Sequence, residues 1–488
     1  MAVIIEQRPL YPNIPVGQEI IFTVSDDNMV ATTYRFKFVA RLYVKDSDIT
    51  INTFPNSAGF NDDLVGVYKV TPNNKGKGIF NFTEILESLV QPDNEPFYRT
   101  SAPNSAPSYK SNAAIMNTQK FPIHIVDKLS LSENSVRYFA LAFYAEYAAS
   151  ETSSVINYTN TTPTLSNQYQ IFNGVVQYDD VLTFSGKDFG FNMEKFMDSS
   201  SGIAGQRYFL TNSPLTQYAK TSDYGTLAML NRSPRIGDFD AQIGSVTFTY
   251  YSDSSGSALG SDTYDSTPTN GGYDNPAAIG WSQTKLMYVG CFPANLRNWS
   301  TFFNSNINNI DFYTIQMATP TGGKLNPTYT IRIKCDDLKG YESIRLAWLN
   351  QWGTWDYYTF DKKSTKSLQT SNTNYTELKG SWNDSFYRTP GFKGGRKNFR
   401  VNTRELVKIN SDYITEDEAV WFEELIQSNE VYIVNGFSTD TTNTLINKYV
   451  EPVQIMTKSY TKKTIANDKL IQYTFEIEKS RTKRAHKA

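Results

Sequence analysis

Histidine and cysteine are almost missing from these 488 residues, which hold only two of each: His124, His486, Cys291 and Cys335. Two cysteines cannot make a disulfide framework; at most one bridge could form, and the usage fits a chain folded in a reducing compartment. Structural zinc needs clustered Cys and His, and no such cluster occurs. A Ser-His-Asp or Cys-His device would have to use His124. That residue sits in "FPIHIVDKL", between Ile123 and Ile125, and reads as a strand histidine that faces solvent or is satisfied in a core. There is no Walker loop, and no Gly-x-Gly-x-x-Gly follows a strand. No run approaches the roughly twenty apolar residues of a membrane-spanning helix. The opening "MAVIIEQRPLYPNIPVGQ" has neither a basic n-region nor an apolar h-region, so no signal peptide is expected. Charge of one sign is missing too: 47 Lys and Arg stand against 49 Asp and Glu, which excludes a global basic field for nucleic acid. No repeat of fixed period is present. The expectation is a soluble chain made in a cytoplasm, with no catalytic residues, no metal and no cofactor.

What the chain has instead is aromatic and β-forming. Its 32 Tyr and 30 Phe, with abundant Ser, Thr and Asn, suit half-buried strands and tight turns. In "TYRFKFVARLYVK", Tyr34, Phe36, Phe38, Ala40, Leu42 and Val44 alternate with Arg35, Lys37, Val39, Arg41, Tyr43 and Lys45, the period of a strand with one buried face. "TEILESLV" allows at most two helical turns, with Ile85, Leu86 and Leu89 inward. "QYQIFNGVVQYDDVLTF" predicts a hairpin turning at Asn173-Gly174, the dipeptide that favours a type I′ turn. "TKLMYVGC", "DFYTIQMA" and "TYTIRIKCDD" continue the strands. Two stretches, 91–113 and 252–280, read as long loops, a length that is usually functional or disordered. One helix stands out, "TEDEAVWFEELIQ": Thr415 is the N-cap, Glu418 completes a capping box, and Val420, Trp421, Phe422 and Leu425 form the buried face. The fold expected is mainly β: tandem β-sandwich domains of immunoglobulin-like type at 1–150 and 151–338, then a C-terminal α+β domain at 339–488 with a basic tail.

Carboxylate pairs occur at Asp26-Asp27, Asp62-Asp63, Asp179-Asp180 and Asp336-Asp337. Adjacency beside strands is explained by turn formation and does not by itself create the paired carboxyls of a glycosidase. "GFKGGRKNFR" could meet phosphate, but a glycine-rich loop entering the strand "NFRVNTRELVKIN" is the commoner structure. The tail "KSRTKRAHKA" holds five Lys and Arg and no acid. It could meet nucleic acid, dock on an acidic neighbour or stay solvated.

Several stretches, in order, resemble virion structural proteins of tailed bacteriophages, above all those of crAss-like and related short-tailed phages. They are "IPVGQEIIFTVSD", "GVYKVTPNNKGKGIFNF", "FNGVVQYDDVLTF", "SIRLAWLNQWGTWDYYTF" and "INSDYITEDEAVWFEELIQSNEVYIV". The resemblance implies a non-enzymatic ring or collar subunit of the neck or tail, made in the host bacterial cytoplasm and carried in the virion. Its implied partners are copies of itself in a ring and neighbouring neck or tail proteins, with neither nucleic acid nor membrane insertion expected. The alternatives are a receptor-binding tail fibre or spike, or a protein that binds host-surface polysaccharide.

"WLNQWGTWDYYTF", from Trp348 to Phe360, concentrates three tryptophans in one hairpin pattern. Ile344, Leu346 and Trp348 share one face of the first strand; "NQWG" supplies the turn; "TWDYYTF" returns. Trp348 is expected in the core. Trp352, on the turn, is expected to be exposed and to anchor a contact. With Lys479, Arg481, Lys483 and Arg484 of the tail, it completes the set of candidate assembly residues.

Overall fold

The computed structural model describes residues 3–46, 63–95, 122–126, 129–158, 163–197, 207–230, 243–254, 256–265, 286–319, 322–334, 341–434, 450–459, 471–481 and 483–484. It is mainly β, with 47% strand against 11% helix, and most strand pairs are antiparallel, as in tandem β-sandwiches. The chain falls into two compact units: Met1–Lys334 with Leu349–Asp356, and Cys335–Trp348 with Tyr357–Ala488.

The first unit opens with two sheets packed face to face. A three-stranded sheet orders Ile4–Gln7, Ile21–Ser25 and Lys77–Asn81. The facing sheet orders Asn13–Pro15, Tyr169–Phe172, Val136–Ala148, Tyr34–Lys45 and Leu64–Val70. Phe36, Phe38, Ala40 and Leu42 point into the shared core as their alternation requires, against Phe22, Phe80 and Phe143. Phe22 meets Phe139 edge-on at 6.5 Å and Phe80 meets Phe143 at 5.7 Å, so aromatic rings from both sheets interdigitate. The short helix Thr83–Glu87 closes one end, with Leu86 buried and Ile85 and Leu89 packed beside it.

Two expectations are corrected in this unit. No hairpin forms at Asn173-Gly174. Tyr169–Phe172 already has a parallel neighbour, Asn13–Pro15, on one edge and an antiparallel one, Val136–Ala148, on the other. With both edges filled, the dipeptide is tied elsewhere: Asn173 donates its N–H to Ser135 O, and Val175 to Gln351 O. The hairpin of this region lies downstream, Leu182–Ser185 with Asp188–Phe191. The excursion expected across 252–280 also contains a strand, Gly260–Asp265, antiparallel to Ser245–Tyr251 and anchored by buried Tyr264; residues 266–280 lie outside the described ones, as do 96–113 of the first long loop. Sheets of this unit bridge residue 150, since Tyr169–Phe172 joins Val136–Ala148 and Leu129–Leu131 joins Leu286–Gly290. Two helices, Pro293–Trp299 and Thr301–Asn306, cover a five-stranded sheet, with Trp299 against Phe248 and Phe303 against Tyr313.

In the second unit one sheet orders Trp355–Phe360, Ile344–Leu349, Val431–Val434, Val450–Ile455, Thr474–Lys479, Gly395–Asn410 and Thr365–Glu377. Helix Glu416–Gln427 lies on it, started by the complete Thr415–Glu418 capping box. Trp421, Phe422 and Leu425 are buried, as expected, and Ala419 joins them. Val420 does not: it is 48% exposed. At 100° per residue it points away from the side that Trp421 and Leu425 share.

Candidate functional site

The aromatic stretch is read first from its turn. Asn350 Oδ1 accepts the N–H groups of Trp352 and Thr354, and Asn350 N–H donates to Thr354 O, which closes the loop. Gly353 has φ +70°, and a Cβ there would stand 1.5 Å from Asn173 O. Backbone conformation and close approach both demand glycine at this place.

Each tryptophan is interior. Trp348 packs against Trp421, ring centroids 4.9 Å apart and planes tilted by 46°, in the core of the second unit, as expected. Trp355 donates Nε1–H to Asp93 O at 2.8 Å and receives the edge of His124. His124 is thus a core histidine, in a short 3₁₀ turn (Ile123–Ile125) rather than a strand. Trp352 was expected to be exposed, and this is corrected: it is 4% exposed. Its ring lies 4.6 Å from Phe196 and 5.6 Å from Phe191, and Nε1–H donates to Asn212 Oδ1 at 3.2 Å. A turn borne by this chain's own neighbours buries the ring, so no exposed contact remains there.

The tail candidates lie in the second unit. Lys479 ends a strand, with Nζ 3.2 Å from Glu451 and 3.8 Å from Glu405. Arg481 is exposed. Lys483 and Arg484 form a two-residue strand opposite Thr403 and Asn402. Ion pairing and strand pairing hold the beginning of the tail to the sheet.

That pairing leads to a highly exposed feature, in which the expected strand "NFRVNTRELVKIN" gains a partner that no sequence pattern announced. Thr365–Glu377 and Gly395–Asn410 form a two-stranded ribbon with paired residues from Thr365↔Lys408 to Glu377↔Gly395. Every residue of Thr365–Glu377 except the last is exposed, on both faces. Thirteen residues at about 3.3 Å each carry it roughly 40 Å. Among the described residues Thr365–Glu377 is the last strand of its sheet, with no strand on its outer edge. A bulge after Thr373 leaves Phe399 without an opposite residue, and its ring meets Tyr375 edge-on at 6.4 Å.

The ribbon ends in an ordered knob. Gly380, at φ +79°, lets the Tyr387 ring lie where a Cβ would be, and Tyr387 Oη–H donates to Lys379 O. Ser381 N–H donates to Arg388 O across the loop. Trp382 meets Tyr387 edge-on at 5.4 Å, and the Arg388 guanidinium lies 4.4 Å over Phe386. Lys397, and secondarily the Gly394 N–H, hold the Glu377 carboxyl below its usual range. These contacts fix the loop but leave its apolar surface wet: Leu378 is 72%, Trp382 71% and Phe392 78% exposed, with Phe386 and Tyr387 beside them. Exposed large apolar side chains gathered on one short loop mark a place of interaction.

Among the described residues, no group of three or more His, Cys, Asp or Glu is placed to hold a metal ion, and no helix is long and apolar enough to cross a membrane. Cys291 is buried, and its backbone oxygen accepts the Tyr313 hydroxyl at 2.7 Å; Cys335 lies outside the described residues.

No protein-family description and no curated protein matches the chain. Among solved structures, the native conformation of E. coli alpha-2-macroglobulin aligns at TM-score 0.18 and 9% identity over 83% of this chain, which spans about a fifth (21%) of that protein. A marsupial T cell receptor aligns at TM-score 0.15 and 9% identity, over 83% of this chain and 96% of that one. Likenesses this low carry no argument about fold or function.

Proposed function

We propose that the chain is a non-enzymatic structural subunit that works by protein–protein contact in a multimer, a ring or collar of a tailed-phage neck or tail. The observation that carries this reading is the ribbon with its aromatic knob. Leu406, Val407 and Ile409 root the ribbon in the core, but its distal part, solvated on both faces, buries almost nothing in its own chain, and a two-stranded hairpin is marginal in water. Its use is to reach a surface elsewhere. Trp, Tyr and Arg, gathered at the tip, are the residue types that dominate binding energy at protein interfaces. The resemblance to phage virion proteins supplies the setting.

Native mass spectrometry of the purified full chain, with electron cryo-microscopy of intact particles, tests the reading. A closed multimer located in the neck or tail is the expected result. A strictly trimeric species that binds host cells would replace the ring by a fibre. Release of reducing sugar from host capsule, abolished by single Asp or Glu substitutions, would make the protein an enzyme.

A further inference from the structure

Resting on that assembly reading, we propose that the arm Thr365–Asn410 clasps a second copy of this chain, its knob and distal ribbon lying on the acid-rich remainder of the neighbouring subunit. The first argument is charge. Of the chain's 47 Lys and Arg and 49 Asp and Glu, the arm takes nine and three, so it carries +6 while everything else carries −8. Two copies therefore repel remainder to remainder and arm to arm, and attract arm to remainder, which favours a contact of one copy's arm with the other's remainder.

The second argument is where the arm's charge is already answered. Near the base, Lys366 pairs with Glu342 at 2.5 Å, Arg404 with Glu478 at 3.7 Å, and Glu405 with Lys479 at 3.8 Å. Toward the tip, Lys379, Arg388, Lys393 and Arg400 have no ion pair among the described residues. The unanswered charge is distal, around the exposed aromatic knob. A cationic stripe along the whole ribbon would have suited a phosphate backbone; the acids at the base interrupt one, and the apolar ends of Leu378 and Phe392 have no use for phosphate. An apolar patch rimmed by cations fits a protein surface that is apolar at its centre and acidic at its rim.

The third argument is reach. Roughly 40 Å is more than the width of a small domain, so the arm can lie across a neighbour and offer the outer edge of Thr365–Glu377 to it. In a head-to-tail contact each copy gives one arm and receives one, and the ring closes.

Three variants of the full chain test this: Trp382→Ala with Phe392→Ala; Arg388→Glu with Lys393→Glu; and replacement of residues 378–394 by Asn-Gly, which keeps the Glu377↔Gly395 end of the ribbon closed by a two-residue turn. Sedimentation velocity across concentration and salt is the readout, with circular dichroism and the melting temperature as folding controls. The expected result is unchanged melting in all three, weakening of self-assembly by at least about tenfold for each aromatic removed, and loss of the salt sensitivity of assembly in the charge variant. A benzoylphenylalanine placed at Trp382 should cross-link to the remainder of a second copy. If the wild type assembles and the variants assemble equally well, the arm is not the clasp, although the assembly reading stands. If the wild type stays monomeric at every concentration, the second copy is not the partner and self-assembly falls with it. If the variants lose binding to duplex DNA or to phosphatidylglycerol vesicles while self-assembly is unchanged, a polyanion or a lipid surface takes the second copy's place.

Discussion

At Trp352 the cost of leaving an indole wet is avoided by folding other residues over it: Phe191, Phe196 and Asn212 complete its surroundings. Trp352→Ala should therefore cost about 3–5 kcal/mol of unfolding free energy, a value typical of large aromatic side chains removed from cores. Urea unfolding measures it; a loss under about 1 kcal/mol would mean that the ring is not packed. Gly353→Ala next door should be as damaging, because the new methyl meets a backbone oxygen that cannot yield. Charge acts at this scale too. Glu6 accepts from Lys187 Nζ at 2.6 Å and from Lys77 Nζ at 2.7 Å, and these bonds, Lys187 first, hold its carboxyl at about 2 against an ordinary 4.5. A depressed carboxylate favours the folded state above the ordinary value, and that contribution disappears as pH falls from 4.5 toward 2. Glu6→Gln should lower the urea midpoint at pH 7 by a small amount, since solvent screens the pairs. The gap to wild type should close by pH 2. A gap that is constant with pH would deny the ionic origin.

Elements were legible in proportion to their amphipathicity. Tyr34–Lys45 announces itself by its alternation, and Phe36, Phe38, Ala40 and Leu42 enter the core; the expectation of a single buried face is corrected, since Val39 and Tyr43 of the other face are buried as well and Tyr34 is exposed. Helix Glu416–Gln427 was legible from its cap and its apolar cluster alike. Thr415→Ala should cost about 1 kcal/mol, whereas Val420→Ala, on the wet side, should stay within about 0.5 kcal/mol; thermal melts separate the two. Of the arm, the strand "NFRVNTRELVKIN" was legible and falls within Gly395–Asn410, but its partner Thr365–Glu377 was not, for the same physical reason inverted. A strand solvated on both faces has no apolar period, so "TKSLQTSNTNYTE" looks like linker. The signal it does carry is Thr-rich β propensity followed by a Trp, Phe, Tyr and Phe loop between glycines. Asn173-Gly174 failed in the other direction: its local preference is real, but both edges of its strand were already occupied.

Across the whole molecule, the two units are joined by a chain that returns through the hairpin, with Leu349–Asp356 counted in the first unit and the flanking residues in the second. That division explains why one aromatic run serves two cores. The arm sets the molecule's behaviour toward proteases. Lys379, Arg388 and Lys393 lie in an exposed loop, so limited trypsin digestion should cut there first and leave both units intact. In the assembled form these sites should be protected; equal cutting rates in monomer and multimer would place the knob outside the contact. The sequence by itself determined the β class, the capped helix, the burial of Trp348 and the scarcity of metal-binding side chains, because composition, period and capping are local quantities. Tertiary structure decided the rest. Which edges were free, that Trp352 would be covered, and that the distal ribbon would be left with both faces in water all depend on which distant strands pair at each edge, and no local pattern encodes that.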